Sequence, residues 1–302
     1  YRVQMKIYIE HHPNNAGHWI YQGYEAAWKH EEYEVQYYDN LESINPTGEY
    51  DIMADDAGIQ SSKSLYTVLN AKRAYLYVQP NEYPMHWGSH PNFISQIKEE
   101  YIQDVNNSDN TFLWTFAAAN ETDFYFKWKK VNTVCLAYDS INYKPVEDDR
   151  YAFDLCYVGG WANNGFDEKI KIILEYFSGI KRLNLKVGFF VGKEISMQEE
   201  ANLLYNSKIS LNLHDKYQRD LGFDTNERTY KSLGLNGFCI SDSNRFMENQ
   251  FPEIPAAKNA ASYVDLIKIH LDRDLQIIKE KNQKMISENH TYISRVKQFV
   301  SM

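Results

Sequence analysis

Short apolar segments alternate with longer amphipathic segments along most of the chain. In the first half, the apolar segments are residues 5–12, 33–39, 50–56, 73–80, 111–117 and 132–139. Helical periodicity lies between them, at residues 20–31 and 91–105. Valine, isoleucine and tyrosine are frequent in the apolar segments, which is typical of buried strands in βα units. The first half therefore predicts a mostly parallel sheet with helices packed on it.

The alternation stops at residues 139–150 and then resumes. That stretch has a proline and a cluster of charges, which is typical of a linker. Further strands are predicted at residues 153–160, 185–192, 208–214 and 237–243, with helices at 166–180, 196–207 and in front of the last strand. From about Ser262 the pattern is helical to the end, with apolar residues three or four positions apart.

These patterns predict an α/β protein with two doubly wound, Rossmann-like domains facing each other across a cleft, followed by a long C-terminal helical segment. We place the N-terminal domain at residues 1–138, the linker at 139–150 and the C-terminal domain at 151–285. Residues 286–302 are expected to form a helix that packs on the N-terminal domain. In such sheets ligands bind beyond the carboxyl ends of the strands, so candidate functional residues are sought there.

Charge and composition narrow the classes of partner. The chain has 41 acidic and 32 basic residues, a net charge of -9, and no dense run of lysine or arginine. Nucleic acids and anionic membranes are therefore not expected as partners. Three cysteines without zinc-like spacing give neither a disulfide framework nor a metal site. No signal peptide and no apolar stretch of membrane-spanning length is apparent, so we expect a cytoplasmic protein.

The stretch of residues 223–243 contains the strongest candidate for an anion site. A helix begins there, and helix N-termini present unpaired amides and a partial positive charge to a phosphate. Asn226, Arg228 and Thr229 add further donors at the same place. A plainer interpretation is also open, because Asp224 and Glu227 have the spacing of a capping box that only starts the helix.

Other strand ends in the second half have weaker candidates. Gly159 and Gly160 follow a strand and let a backbone approach a ligand, although paired glycines also serve tight turns. Lys193 lies just past another strand end, where it would meet a phosphate or remain solvated. His214 ends a third strand, and a lone histidine in that position is commonly structural.

In the first half, proton-transfer groups gather near two strand ends. Glu10, His11, His12 and His18 surround the first loop, and Asp55 with Asp56 follows the third strand. Histidine and carboxylates perform most general acid–base catalysis. The histidine spacing does not fit a zinc site, so no metal is expected.

The second half resembles the CgeB-like branch of the group 1 glycosyltransferases, which have the GT-B fold. The resemblance covers residues 132–250 and includes Tyr-Val-Gly-Gly at 157–160 and Ser-Leu-Asn-Leu-His at 210–214. It is most specific at residues 226–242, where six residues fit the family pattern: Asn226, Arg228, Tyr230, Gly237, Phe238 and Asp242. The first half matches in architecture only.

The resemblance implies transfer of a hexosyl group from a nucleotide-diphosphate sugar to an unknown acceptor, without a metal and with retention of configuration. It implies no tightly bound cofactor. The implied donor-binding residues are Gly160, Lys193, His214, Asn226, Glu227, Arg228, Thr229 and Tyr230. Arg228 would also stabilise the leaving phosphate, and His12 or Asp55 would be the base of an inverting enzyme. Lys231 departs from the pattern, because the family commonly has a ribose-binding glutamate there. Either Glu227 substitutes for that glutamate or the ribose contact is lost.

Three other functions remain open at this stage. A nucleotide-sugar epimerase of the same fold would bind the same donor without needing an acceptor. A degenerate transferase would bind a nucleotide or sugar without turnover, and Lys231 is the feature that hints at it. A two-domain binding protein of the periplasmic type would normally have an export signal, and none is apparent.

Overall fold

The computed structural model describes residues 5–13, 15–84, 93–160, 168–192 and 195–302. The chain forms two compact units. The first contains Tyr1–Cys135 together with Tyr292–Met302, and the second contains Leu136–Thr291. None of the described helices combines the length and apolar character needed to cross a lipid bilayer.

The first unit is built around a parallel sheet of six strands in the order β2-β1-β3-β4-β5-β6. The strands are β1 (Lys6–Glu10), β2 (Glu34–Tyr38), β3 (Tyr50–Asp55), β4 (Arg73–Tyr77), β5 (Thr111–Thr115) and β6 (Val131–Thr133). The helices between them are α1 (Asn15–His30), α2 (Ser62–Leu69) and α3 (Glu99–Asn107). Central strand β3 is buried along almost its whole length, and its buried Asp51 is paired with Arg73 at 2.6 Å.

The second unit is built around a parallel sheet of five strands in the order β11-β10-β9-β7-β8. Its strands are β7 (Leu155–Gly159), β8 (Val187–Val191), β9 (Ile209–Asn212), β10 (Cys239–Asp242) and β11 (Ala256–Ala257). Its helices are α4 (Glu168–Ile180), α5 (Met197–Asn206), α6 (Lys216–Leu221), α7 (Glu227–Leu235), α8 (Arg245–Gln250), α9 (Ala260–Leu271) and α10 (Gln276–Asn289). The predicted α/β class with two doubly wound sheets is confirmed.

Each sheet has one point at which the strand order reverses direction. In the first sheet it lies between β1 and β3, and in the second between β7 and β9. Connections from the two strands at such a point go to opposite faces of the sheet, which leaves a crevice beyond their carboxyl ends. The residues at these four strand ends are therefore placed to contact a ligand.

The predicted C-terminal helical segment is confirmed, with breaks at residues 272–275 and 290–291. After α9 and α10, the last helix α11 (Tyr292–Val300) lies in the first unit. Its Phe299 is fully buried against Trp28, Tyr75 and Trp114. Burial of a phenylalanine on this scale contributes about 2–3 kcal/mol, so α11 is an integral part of that core.

Two predicted elements in the first half have wrong boundaries. The strand predicted at residues 132–139 ends at Thr133, and Val134, Ala137 and Tyr138 that follow are buried without forming a strand. Their apolar pattern reflects burial of an irregular segment. The helix predicted at 91–105 begins only at Glu99. None of the three cysteines forms a disulfide, and Cys156 and Cys239 are buried whereas Cys135 is partly exposed.

Candidate functional site

Helix α7 begins beside the carboxyl end of β9. Its N-cap is Asn226, whose side-chain oxygen accepts a hydrogen bond from the Thr229 amide at 3.2 Å. The Asn226 amide group in turn donates to the Leu213 carbonyl at 3.2 Å, which ties the helix start to the end of β9. The capping-box interpretation with Asp224 is therefore wrong, because Asp224 lies two residues before the cap. The cap itself is neutral, and the carboxylate of Glu227 in the first turn lies 3.8 Å from the Lys231 ammonium.

Arg228 connects the two strands at the switch point of the second sheet. Its Nε donates to the Val158 carbonyl at 2.5 Å, at the end of β7. Its Nη1 donates to Asn212 Oδ1 at 3.1 Å and to the Leu213 carbonyl at 3.2 Å, at the end of β9. The guanidinium also lies over the Tyr157 ring, 4.7 Å from its centroid. Neutral acceptors thus fix the orientation of this cation without neutralising it.

One side of the Arg228 guanidinium remains available. Within the described part of the chain, Nη2 has no hydrogen-bond partner and no carboxylate lies within ion-pair distance of the side chain. Arginine is always charged and binds phosphate through several N–H donors at once. A fixed arginine with an unused donor at a helix N-terminus is what a phosphate site requires.

Gly159 makes room for this arginine. A Cβ atom at Gly159 would overlap Arg228 Nη2 and would lie 2.8 Å from the Tyr157 hydroxyl. We expect Gly159→Ala to displace the guanidinium and weaken phosphate binding about tenfold, with a change in melting temperature of only a few degrees. Titration of the variant with UDP tests this. Gly58→Ala, which meets only the flexible Leu41 side chain in the first unit, is the control.

Beneath Arg228 lies a fully buried polar network that contains His214. The His214 ring contacts Asp242 Oδ1 at 2.7 Å through Nδ1 and Thr225 Oγ1 at 2.7 Å through Nε2. Asp242 also accepts from the His214 amide at 3.0 Å. Although burial acts to raise the pKa of Asp242, the His214 ring and Arg219 hold it below its ordinary value. With no exposed surface and both ring nitrogens engaged, His214 acts by positioning the β9–α7 connection.

The other predicted donor-site residues occupy different environments. Thr229 is buried in the same network, where its hydroxyl contacts Thr225 at 2.8 Å and Asn212 at 3.1 Å. Tyr230 is in the core, with its hydroxyl donating to Gln250 at 3.2 Å. Gly160 is exposed just past β7. Lys193 lies outside the described residues.

Glu227 and Lys231 belong to a buried ionic cluster on another face of α7. Lys231 donates to both carboxylate oxygens of Glu200 at 3.1 Å, and Glu227 lies 3.8 Å from the same ammonium. The Tyr143 hydroxyl donates to Glu200 at 2.8 Å. Burial would lower the pKa of Lys231, but Glu200, Tyr143 and Glu227 together hold it well above its ordinary value. Lys231 is thus a structural cation whose charge is balanced from α5.

A second cluster lies at the switch point of the first sheet. Glu10 ends β1 and Asp55 ends the adjacent β3, while His12 follows β1. Glu10 Oε2 and His12 Nε2 are 3.8 Å apart, and both atoms are buried without a hydrogen-bond partner among the described residues. Burial and the charge of Asp55 raise the pKa of Glu10 to about 7, and burial lowers that of His12. Burial raises the pKa of Asp55 as well. Glu10 is therefore the group of this cluster that can gain or lose a proton near neutral pH.

Comparison with known proteins connects these sites to an enzyme class. A family described as "Glycosyl transferase-like" matches residues 160–301, which include α7, Arg228 and the buried network. Residues 160–301 are thus similar to the glycosyl transferase-like family. The prediction of a glycosyltransferase is confirmed. A search of curated protein sequences found no match.

Solved structures agree on the fold of this glycosyltransferase. T4 phage BGT with its UDP-glucose substrate has a TM-score of 0.59 and 11% identity, covering 99% of this chain and 100% of the other. An alpha-glucosyltransferase with UDP-glucose and DNA containing an abasic site has a TM-score of 0.51 and 10% identity, covering 97% and 95%. A proposed UDP-N-acetylglucosamine 2-epimerase from Listeria monocytogenes has a TM-score of 0.50 and 10% identity, covering 97% and 93%. At these identities the similarity establishes the GT-B fold.

Glu10 should contribute to the pH dependence of the stability of the glycosyltransferase. Its pKa of about 7 in the fold lies above its ordinary value of 4.5. The folded state therefore keeps a proton that the unfolded state releases, and the free energy of unfolding falls as pH rises from 4.5 to 7. We expect Glu10→Gln to remove this loss and to be about 2–3 kcal/mol more stable than the wild type at pH 8.

Urea denaturation of both proteins at pH 4.5 and pH 8 measures this difference. The exposed Glu121 offers a matched substitution, Glu121→Gln, that should leave the pH dependence unchanged. If Glu10→Gln and the wild type lose the same stability between the two pH values, Glu10 does not hold a proton in the fold.

Some residues of the candidate site around Arg228 were missed in the sequence. Asn212, Thr225 and Asp242 orient Arg228 and His214, yet none of them was chosen as a site residue. A signal was present, because Asn212 and His214 are polar residues at alternate positions near the end of an otherwise apolar strand. Among the described residues, no cluster of three or more metal-binding side chains was found.

Proposed function

We propose that this glycosyltransferase moves a hexosyl group from a nucleotide-diphosphate sugar to a hydroxyl group of an acceptor. The observation that carries the proposal is Arg228, which three neutral acceptors hold in place while its Nη2 group is unused beside the N-terminus of α7. The diphosphate of the donor would bind there. The GT-B fold and the family of residues 160–301 support the same assignment.

The donor site would act by stabilising the leaving diphosphate. As the bond between the sugar and the phosphate oxygen breaks, negative charge accumulates on that oxygen. Arg228 and the first amides of α7 would stabilise this charge, and fixed donors of this kind are commonly worth about 10²–10³ in rate. Because they supply the compensation, we propose a metal-independent reaction, for which turnover in excess EDTA is the test.

We also propose which other residues contact the phosphates and the nucleoside of the donor. Gly160 and Lys193 would approach the phosphates, while Asn226 and Thr229 hold the helix start in place. Lys231 is not available to a ribose, because it is buried against Glu200. The ribose contact would then fall to Glu227, one helical turn earlier, whose carboxylate lies 3.8 Å from the Lys231 ammonium. UDP-glucose is the first donor to test, since two similar structures contain it.

We propose that the cluster of Glu10, His12 and Asp55 in the first unit serves the acceptor. In a retaining reaction these residues would bind acceptor hydroxyls, and in an inverting one His12 or Asp55 would remove the proton. We favour retention from the family resemblance. The net charge of -9 favours a glycan, protein or small-molecule acceptor over a nucleic acid.

Incubation with UDP-glucose tests the proposal directly. Proton NMR would follow release of UDP and the coupling constant of the new anomeric proton, with and without EDTA and with a pool of sugar acceptors. Formation of a glycoside supports the proposal, and the coupling constant decides between retention and inversion. If UDP-glucose, GDP-mannose and UDP-N-acetylglucosamine all remain unchanged with every acceptor, the proposed transfer is wrong for these donors.

A nucleotide-sugar epimerase is the second candidate, because one structure of the same fold is a proposed UDP-N-acetylglucosamine 2-epimerase. Such an enzyme needs no acceptor. Incubation with UDP-N-acetylglucosamine alone separates the two functions, since an epimerase would produce a new sugar configuration and a transferase would not.

A further inference from the structure

A cavity of about 610 Å³ opens in the second unit, away from the N-terminus of α7. Its walls come from the segment before β7, the end of α5, the end of α7 and the first turns of α10. The lining residues are Glu147, Asp148, Asp149, Ala152, Tyr205, Asn206, Asn236, Gln276, Lys279 and Gln283. Three of these segments lead into the starts of β7, β9 and β10, so the cavity lies at the amino edge of the sheet, whereas Arg228 lies at the carboxyl edge. Its volume is typical of small-molecule sites.

The cation in this cavity lacks a counter-ion. Lys279 Nζ donates to the Ser207 carbonyl at 3.1 Å, and no described carboxylate lies within 4.0 Å of it. Burial lowers the pKa of Lys279 to about 8, and the nearby Lys208 acts in the same direction. Cys156 acts against this shift, but burial raises the pKa of its thiol to about 12, so it supplies no anion at neutral pH. A half-buried ammonium whose hydrogen-bond partner is a neutral carbonyl is a favourable place for an anionic group.

The rest of the lining offers hydrogen-bond acceptors and an aromatic ring. Glu147 and Asp149 have exposed carboxylates, whereas Asp148 is engaged by Arg150 at 2.6 Å. The Gln283 amide donates to the Leu235 carbonyl at 2.7 Å, which leaves its side-chain oxygen as an acceptor. The Tyr205 ring is 37% exposed. Hydroxyl groups are the donors that such acceptors need, and an exposed tyrosine ring packs well on a sugar face.

We propose that this cavity is a second binding site, which takes a small hydroxylated anion such as a sugar phosphate or a uronic acid. The anionic group lies against Lys279, and the hydroxyls donate to the carboxylates and amide oxygens of the lining. This site is separate from the donor site, because the two lie at opposite edges of the same sheet. It would give the protein a means of sensing or retaining a charged sugar that is not its donor.

Isothermal titration at pH 7 with glucose 6-phosphate, glucuronate and glucose tests the proposal. We expect saturable binding of one or both anions, at least tenfold weaker binding of glucose, and no displacement by UDP. A preference between the two anions identifies the phosphate or the carboxylate as the group recognised. Lys279→Met should weaken binding of the anion at least tenfold. Lys284→Met, on the same helix and 75% exposed, should leave it unchanged.

Proton uptake gives a measurement that a purely structural lysine would not affect. Anion binding raises the pKa of Lys279, so at pH 8 the complex should take up as much as about half a proton, seen by titration in buffers of different ionisation enthalpy. The proposal is overturned if neither anion saturates, if Lys279→Met binds as the wild type does, or if UDP displaces the anion. Because UDP is titrated separately, failure of the donor site would be recognised independently.

Discussion

Replacing Arg228 with methionine should lower the turnover of UDP-glucose about 100-fold. Methionine keeps most of the aliphatic length of the side chain. It lacks the N–H donors and the positive charge with which Arg228 would contact the leaving diphosphate. Loss of one fixed donor to a developing oxyanion commonly costs about 10²–10³ in rate. The effect should appear in kcat as well as in kcat/KM, because charge on the phosphate grows between the bound donor and the transition state.

Two further substitutions control this experiment. Arg228→Lys keeps the charge but cannot donate to Val158, Asn212 and Leu213 at once, so we expect only partial recovery. Arg182→Met, at an exposed arginine that ends a turn after α4, should have normal kinetics. Near-normal turnover in Arg228→Met, with the fold intact by circular dichroism, would remove Arg228 from the phosphate site.

Replacing Lys231 with methionine should destabilise the protein by about 3–5 kcal/mol. The substitution leaves Glu200 buried without its cation, and an unpaired buried charge is among the largest penalties a single mutation produces. Glu227 loses the same partner. Urea denaturation at pH 7 measures the loss, and Lys284→Met, at an exposed lysine, provides the matched control.

The double variant Lys231→Met with Glu200→Met separates the effect of the two charges on stability from the effect of side-chain volume. It removes both charges and keeps apolar volume, so we expect it to recover most of the lost stability. The Tyr143 hydroxyl would still lose its acceptor, so recovery should be incomplete. If Lys231→Met alone costs less than about 1 kcal/mol, the cluster does not hold a buried charge.

The alternation of strands and helices was readable because it depends on local periodicity. The same is true of the N-terminus of α7, where Asn226 and Arg228 are close in sequence. The partners of Arg228 were not readable, because the carbonyls of Val158 and Leu213 meet only through the pairing of β7 with β9. That pairing is a property of the whole sheet, and no local pattern encodes it.

The burial of individual polar side chains was also not evident from the sequence. His214 was interpreted as a strand-end histidine, yet it is buried and contacts Asp242, 28 positions away. Lys231 was interpreted as a departure from the family pattern, and its pairing with Glu200, 31 positions away, was not evident. In the first unit, Glu10 and His12 were visible as candidates, but the raised pKa of Glu10 arises from burial and Asp55. In each case the chemistry depends on a partner distant in sequence.

Binding of a nucleotide diphosphate tests the central claim most directly. Thermal unfolding would be followed with UDP, GDP, ADP, CMP and dTDP, with and without magnesium. A ligand that binds only the folded state raises the melting temperature by mass action. At a ligand concentration of 100 times its Kd, the free energy of unfolding rises by about 2.7 kcal/mol. The account predicts a clear rise in melting temperature with one nucleotide diphosphate, with or without magnesium. Binding of the same nucleotide to Arg228→Met should be at least tenfold weaker. No shift with any of the five nucleotides would contradict it.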